Sequence, residues 1–254
     1  MIGASGARVE IVDVTRTFGE LSPTIDRLNL TIGSGEFVSL LGPSGCGKST
    51  ILRLIAALDQ PDFGTVKCSA EDNPQKFYRS FVFQEAQLLP WRTVLENVTL
   101  PLELMRLPRA EALARARTVL RRVGLEEAAT KVPAELSGGM KMRVSVARAL
   151  VSSPRLLLLD EPFAALDEVT RFRLQEDLYQ LWLQEKMTVV FVTHSVSEAV
   201  FLSERAIVLS VKPARIVMDH KIDISRERNR KTRLEARFVQ EVGLLTQAFY
   251  QGEE

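Results

Sequence analysis

The stretch from Phe37 to Ile55 constrains the fold more than any other part of the chain. The apolar run Phe37-Val38-Ser39-Leu40-Leu41 leads into Gly42-Pro43-Ser44-Gly45-Cys46-Gly47-Lys48-Ser49-Thr50, and the helical pattern Ile51-Leu52-Arg53-Leu54-Ile55 follows. The loop fits G-x-x-x-x-G-K-[ST], and a strand before it with a helix after it is the context this pattern needs. Gly42, Gly45 and Gly47 let consecutive N–H groups turn into one concavity. A helix N-terminus behind the loop adds positive potential. Lys48 brings a mobile point charge to the outer phosphates of a nucleotide, and Ser49 offers a hydroxyl to a Mg²⁺ ion bridging them.

The chain has 254 residues, enough for one large domain or a core with a subdomain. Hydrophobic residues at 46% and charged residues at 26% are ordinary for a soluble globular protein. A net charge of +1 gives no overall electrostatic footprint for nucleic acid. Of the two cysteines, Cys46 lies in the loop, so a reducing compartment is the simpler reading than a structural disulfide. Its place at a helix start beside Lys48 also predicts a thiolate that alkylates readily. No apolar run approaches the roughly 18–20 residues that span a bilayer, and residues 1–8 lack the apolar core of a signal peptide. The expectation is a soluble protein, or one held at a membrane by a partner.

Val9–Val14 and Leu28–Ile32 alternate apolar and polar residues and read as half-buried antiparallel strands. Leu156–Leu159, Thr188–Thr193 and Ala206–Leu209 read as strands buried on both faces, with helical patterns between them. Such runs suit an α/β fold with a mostly parallel sheet. Residues 86–150 differ: Pro90, Pro101, Pro108 and Pro133 divide them into short pieces. Ala110–Val123 reads as a helix ended by Gly124, and Met140, Val144, Ala147 and Val151 mark one face of a second helix capped by Ser137. This segment is expected to be an all-helical insert. From Ser225 the chain carries Arg226, Arg228, Arg230, Lys231, Arg233 and Arg237, which with Glu227 and Glu235 interspersed read as a solvated face in preference to a phosphate- or lipid-binding patch.

Three further elements carry chemistry. Leu156–Leu159 ends in Asp160-Glu161, at the strand end where open α/β sheets bind ligands. Asp160 there can assist Mg²⁺, and Glu161 can accept a proton from, or polarise, water attacking the γ-phosphate. His194, also at a strand end, can hold that water in line, whereas His220 has no such context and reads as surface. Ser137-Gly138-Gly139 opens a helix with a hydroxyl and free N–H groups, a second anion-binding design.

Taken in order over about 200 residues, these elements resemble the ATPase subunit of ATP-binding-cassette (ABC) transporters: a P-loop NTPase core with an N-terminal antiparallel β-subdomain and an all-helical insert. Gly42–Thr50 matches the P-loop, Gln84 the Q-loop, and Leu136–Met140 the LSGGQ signature with Met140 in the last place. Asp160-Glu161-Pro162 matches the end of Walker B, Ala165-Leu166-Asp167 the D-loop, and His194 the switch histidine. Phe18 sits where the family stacks an aromatic on adenine. Phe83-Gln84-Glu85-Ala86-Gln87-Leu88-Leu89-Pro90-Trp91, Glu96-Asn97-Val98 and Thr193–Phe201 look most like the importer branch for nitrate, sulfonates and taurine. Ser195 departs from the usual acidic residue, Ala164 from the usual Ser or Gly, and Lys67–Ser80 lacks the usual glycine-bearing hairpin.

The resemblance implies one ABC ATPase domain over 1–254, with residues 1–85 and 151–224 forming the core and β-subdomain, 86–150 the helical subdomain and 225–254 a helical tail. It implies ATP and Mg²⁺ as ligands, with Glu161, His194, Gln84 and Lys48 catalytic and Ser49, Gln84 and Asp160 on the metal. The P-loop, Phe18, Ser137, Gly138, Gly139 and Asp167 would bind nucleotide across a head-to-tail dimer. Leu88, Leu89 and Trp91 would receive a short cytoplasmic helix of a membrane permease, unless Trp91 packs inside the insert. The expected role is energy coupling for a small-solute importer at the cytoplasmic face of the inner membrane, with a solute-binding protein as an indirect partner and no nucleic acid. The alternatives are an ABC ATPase for export or lipid movement, and a soluble ABC ATPase acting on nucleic acid or ribosomes. The second usually needs two cassettes or a long coiled coil, neither of which this sequence has.

Overall fold

The computed structural model describes residues 6–19, 22–69, 79–164 and 166–253. Strands β1 (Arg8–Arg16), β2 (Ile25–Ile32), β3 (Phe37–Leu41), β4 (Phe63–Ser69), β5 (Arg79–Val82), β6 (Leu156–Asp160), β7 (Thr188–Thr193), β8 (Arg205–Leu209) and β9 (Ile216–Lys221) form two sheets. The first is antiparallel, in the order β2-β1-β4; the second has the order β5-β6-β7-β3-β8-β9 and is parallel except for β9. The α/β reading and the strands expected at both ends of the chain are therefore present. In the unassigned stretch 67–80, β4 and β5 are now located, while 70–78 lie outside the described residues.

Every residue of β3, β6 and β7 is buried, as a sheet covered on both faces requires. Alternation along the strands divides their side chains between two apolar layers. Leu157, Leu159, Val189 and Phe191 join Phe37 and Leu41 beneath α5 (Glu168–Glu185), α6 (Val196–Leu202) and α7 (Ala236–Gln251). Leu156, Leu158, Val190 and Val192 join Val38 and Leu40 on the opposite face, beneath α1 (Lys48–Ile55) and the antiparallel sheet. A third apolar layer lies within residues 94–151 and is built by α2 (Val94–Leu104), α3 (Arg109–Arg122) and α4 (Gly138–Leu150). α2 starts at a capping box of Thr93 and Glu96, and α3 gives way to Gly124 at φ 67°.

The tail corrects the solvated-face reading. Arg226 and Arg230 do face solvent, but Arg228 is 3% exposed, because Nη1 donates to the carbonyls of Val200, Phe201 and Ser203 at the end of α6. Its guanidinium also lies 4.6 Å from the Tyr179 ring centre. Arg233 stacks on the rings of Phe172 and Phe201. Both arginines donate to oxygen acceptors and cover ring faces of the core, and α7 buries Phe238, Leu245 and Ala248 in the same layer. His220 is likewise not a free surface group: Nε2 lies 2.7 Å from Oε2 of Glu241, a buried residue of α7.

Candidate functional site

Register places the sequence-derived site residues along one edge of the large sheet. Leu41 pairs with Thr193 and with Val208, Asp160 with Val192, and Val82 with Leu159. Gly42 leaves β3, Gln84 lies two residues past β5, Asp160 and Glu161 end β6, and His194 follows β7. Four separate strands thus deliver them to the same carboxyl end, where ligands of open α/β sheets bind.

The loop after β3 wraps around its own lysine. Lys48 is 4% exposed, and Nζ donates to the carbonyls of Gly42 (2.8 Å) and Pro43 (2.6 Å). Gly47 caps α1 at φ 112°, a conformation costly for a residue with a Cβ, and that Cβ would meet Thr24 at 3.2 Å. No acidic residue occupies the first turn of α1, so its amide end keeps its positive potential. Pro43, Ser44, Gly45 and Thr50 complete the loop and first turn. Cys46 overturns the reactive-thiol expectation: it is 1% exposed, and burial pushes its thiol above the ordinary range, with Lys48 opposing only in part.

Ser49 Oγ donates to Asp160 Oδ1 at 2.9 Å, joining the two sheet-edge oxygens expected to share a cation. Burial raises the Asp160 carboxyl, with the Ser49 hydrogen bond acting in the opposite sense. Two hard oxygen donors with the exposed amide of Gln84 nearby in the register suit Mg²⁺, which takes few protein ligands and keeps phosphate and water oxygens.

Beside them, Glu161 Oε2 lies 2.9 Å from His194 Nδ1. Glu161 holds φ 44°, an uncommon conformation for a non-glycine residue, and its N–H donates to Val192 O. The pair can take up and reposition a proton at the sheet edge.

Phe18 is 46% exposed, in the loop between β1 and β2 whose far end, Thr24, adjoins Gly47. The Arg16 guanidinium lies 4.6 Å from the ring centre and is itself held by Asp59 and Asp62. Ser137 caps α4 by accepting from the Met140 amide at 3.3 Å, and a Cβ on Gly138 would meet nothing within 4 Å, so this helix start opens to solvent. Asp167 caps α5, and bonding from Thr170 lowers its carboxyl; Ala165 lies outside the described residues. Trp91 is 75% exposed, against the alternative in which it packs inside the insert.

Several contributors were given no role in the site from the sequence. Asn97 is fully buried, and its side chain bonds Leu89 N and the carbonyls of Leu89, Arg92 and Thr93, fixing the loop that displays Trp91. Arg148 donates to Ala86 O and Gln87 O just beyond Gln84. Glu198 accepts from Thr193, the residue before His194, and is itself met by Gln175 and Arg171. A polar residue at an apolar helical phase, as at Asn97, is the one sequence signal that could have found any of them.

A family model described as ABC transporter matches residues 25–164. The chain is 45% identical over 227 residues to an ABC transporter ATP-binding protein of Methanocaldococcus jannaschii, covering 88% of this chain and 85% of that one. It is 43% identical over 244 residues to an aliphatic sulfonates import ATP-binding protein of Burkholderia pseudomallei (94% and 72%). For the protein of the same description from Bacillus cereus the identity is 40% over 236 residues (90% and 92%). Among solved structures, a dimeric ATP-binding cassette in a post-hydrolysis state with ADP and Pi superposes with a TM-score of 0.76 at 35% identity, over 85% of this chain and 100% of that one.

Proposed function

The chain belongs to the ABC transporter family, as an ATPase, and we propose that it is the energy-coupling subunit of an importer for a small, sulfonate-like anionic solute. The observation that carries this reading is the convergence of Gly42–Thr50, Gln84, Asp160-Glu161 and His194 on one sheet edge. The sulfonate-import relatives support the solute class, and the solved cassette dimer supports a pair of chains acting together.

In this reading the loop amides and Lys48 bind the β- and γ-phosphates of ATP, Lys48 exchanging its bonds to Gly42 O and Pro43 O for phosphate oxygens. Phe18 presents its ring face opposite Arg16 to adenine. Ser49, Asp160 and Gln84 hold Mg²⁺, which neutralises charge on the phosphates when bound. Glu161 accepts the proton of the attacking water and His194 keeps Glu161 and that water aligned. Ser137, Gly138 and Gly139 of a second copy close over the γ-phosphate, so two copies in head-to-tail arrangement are needed for a complete site. Asp167 orders the start of α5 between the copies.

The three apolar layers support division into a core with β-subdomain (1–85 and 151–224), a helical subdomain (86–150) and a tail (225–254), the tail layered onto the core. The exposed Trp91 loop supports docking of a permease helix at the cytoplasmic face, a solute-binding protein joining on the other side. No helix among the described residues is long and apolar enough to cross a membrane.

The test is ATP-dependent solute uptake by proteoliposomes containing this chain and the permease that copurifies with it. Uptake of an alkanesulfonate that depends on Glu161 is expected. Capture of soluble or ribosomal partners only, with no permease, would overturn the reading.

A further inference from the structure

The turn that carries His194 is built around Glu198. Thr193 Oγ1 donates to Glu198 Oε2 at 2.7 Å, Ser195 N donates to Thr193 Oγ1 at 3.0 Å, and Glu198 N donates to Ser195 Oγ at 3.4 Å. The residues on either side of His194 are therefore both tied, directly or through one hydroxyl, to one glutamate. Glu198 and Thr193 are buried, so these bonds are shielded from water.

Glu198 has a second set of partners. Its Oε1 accepts from Gln175 Nε2 at 3.0 Å, and Gln175 Oε1 accepts from Arg233 Nη2 at 2.6 Å. The direction of this chain is set by its far end. Arginine only donates, so Gln175 must turn its carbonyl to Arg233 and its amide to Glu198. Arg233 enters from the tail, packed between Phe172 and Phe201. On the other side Arg171 donates to the carbonyl of Leu166, next to Asp167, while its Nε stands 3.9 Å from Glu198 Oε1. Arg171 Nε, Glu176 Oε1 and Arg233 Nη1 are buried without a hydrogen bond, and Arg233 Nη1 faces Glu176 Oε1 at 3.9 Å. Buried groups left unpaired are costly, and these three cluster around the one network behind His194.

We propose that Glu198 is a positioning residue for the Glu161–His194 pair, and that Arg233 of the tail, through Gln175, holds Glu198 in place. The tail is then part of the hydrolytic apparatus. The proposal rests on the reading of Glu161 and His194 as the groups that handle the attacking water. Its chemistry is orientation only: no bond is made or broken at Glu198, Gln175 or Arg233.

The test uses the full chain with Glu198→Gln, Gln175→Ala, Arg233→Gln and Arg233→Lys, each alone and combined with His194→Ala. A glutamine at 198 cannot accept from Thr193 and Gln175 at once while Arg233 fixes the orientation of Gln175. The expected result is a fall in kcat of about tenfold or more with KM for MgATP nearly unchanged. Partial recovery is expected in Arg233→Lys, and no further loss when the first three are added to His194→Ala. Amide exchange at Ser195 and Glu198 should accelerate in Glu198→Gln and Gln175→Ala. Unchanged kcat in folded variants, or losses that multiply with that of His194→Ala, would overturn the proposal. If Glu198→Gln does not fold, Gln175→Ala and Arg233→Gln decide it. If the wild-type chain hydrolyses no ATP, the hydrolytic reading fails by itself. The positioning claim then stands or falls on the exchange rates, and unaltered rates overturn it.

Discussion

Glu161 Oε2 and His194 Nδ1 lie 2.9 Å apart, bridging the residue after β6 and the residue after β7 across neighbouring strands. A proton acceptor at 161 has its orientation fixed from the next strand before substrate arrives. Glu161→Gln preserves a polar partner for the imidazole but removes the basic oxygen. Nucleotide affinity is expected to persist while turnover falls at least ~100-fold, with ATP holding two copies together. Gel filtration with MgATP and a phosphate-release assay check this; wild-type turnover in the variant would remove Glu161 from its role.

Asp160 should impose a pH dependence on folding. Burial raises its carboxyl above the ordinary 3.8 in the fold, so the folded state holds a proton that the unfolded chain releases. Stability therefore falls as pH rises from the ordinary carboxylate value through the raised one, and the deficit persists at neutral pH. Asp160→Asn, which can still accept from Ser49, should raise Tm at pH 7, as read by thermal unfolding. The gain should shrink as pH approaches the ordinary carboxylate range, and Mg²⁺-dependent turnover should be lost. An equal gain at all pH values would point to another cause.

Much of the site was legible because its parts are contiguous or sit at strand ends. The loop 42–50 states its own chemistry, and apolar runs ending in Asp160-Glu161 and Thr193-His194 announce buried strands that terminate at one edge. The tail was not legible in the same way. Arg228 and Arg233 look like members of a charge run with acidic neighbours, but their partners are carbonyls at Val200, Phe201 and Ser203 and an amide at Gln175, distant in sequence. His220 was misjudged for the same reason, its partner Glu241 lying on the next helix. Cys46 shows the converse error: a local argument from a lysine and a helix start, outweighed by burial that only the three-dimensional packing supplies.

That burial reverses the expected order of thiol labelling. Cys46 is buried and Cys68 only partly so, and burial raises both thiols. With a small maleimide at pH 7–8 and no nucleotide, Cys68 should label faster than Cys46, as followed by peptide mass spectrometry. Faster labelling of Cys46 would mean that the loop opens far more often than its packing suggests.

Arg228 should hold the tail down. Its removal leaves three carbonyls at the end of α6 without that donor and uncovers the Tyr179 ring. Arg228→Ala is expected to destabilise the chain by about 2–4 kcal/mol, most of it from buried acceptors left unpaired. Urea unfolding followed by tryptophan fluorescence reads this through Trp182, which packs against Tyr179. A change below about 0.5 kcal/mol would show that the tail stays docked without it.

Trp91 and Asn97 should separate docking from stability. Trp91 is 75% exposed, so Trp91→Ala is expected to change stability by no more than ~0.5 kcal/mol. It is not among the sheet-edge groups assigned to ATP, so ATP turnover by the chain alone should be unaffected. Asn97 is buried and ties four backbone groups of residues 89–93 together. Asn97→Ala should therefore cost about 2–3 kcal/mol and let the loop wander. If this loop receives the permease helix, both variants lose copurifying permease and coupled uptake, while only Asn97→Ala unfolds at lower urea. Retention of permease by both would move the docking surface elsewhere on the helical subdomain.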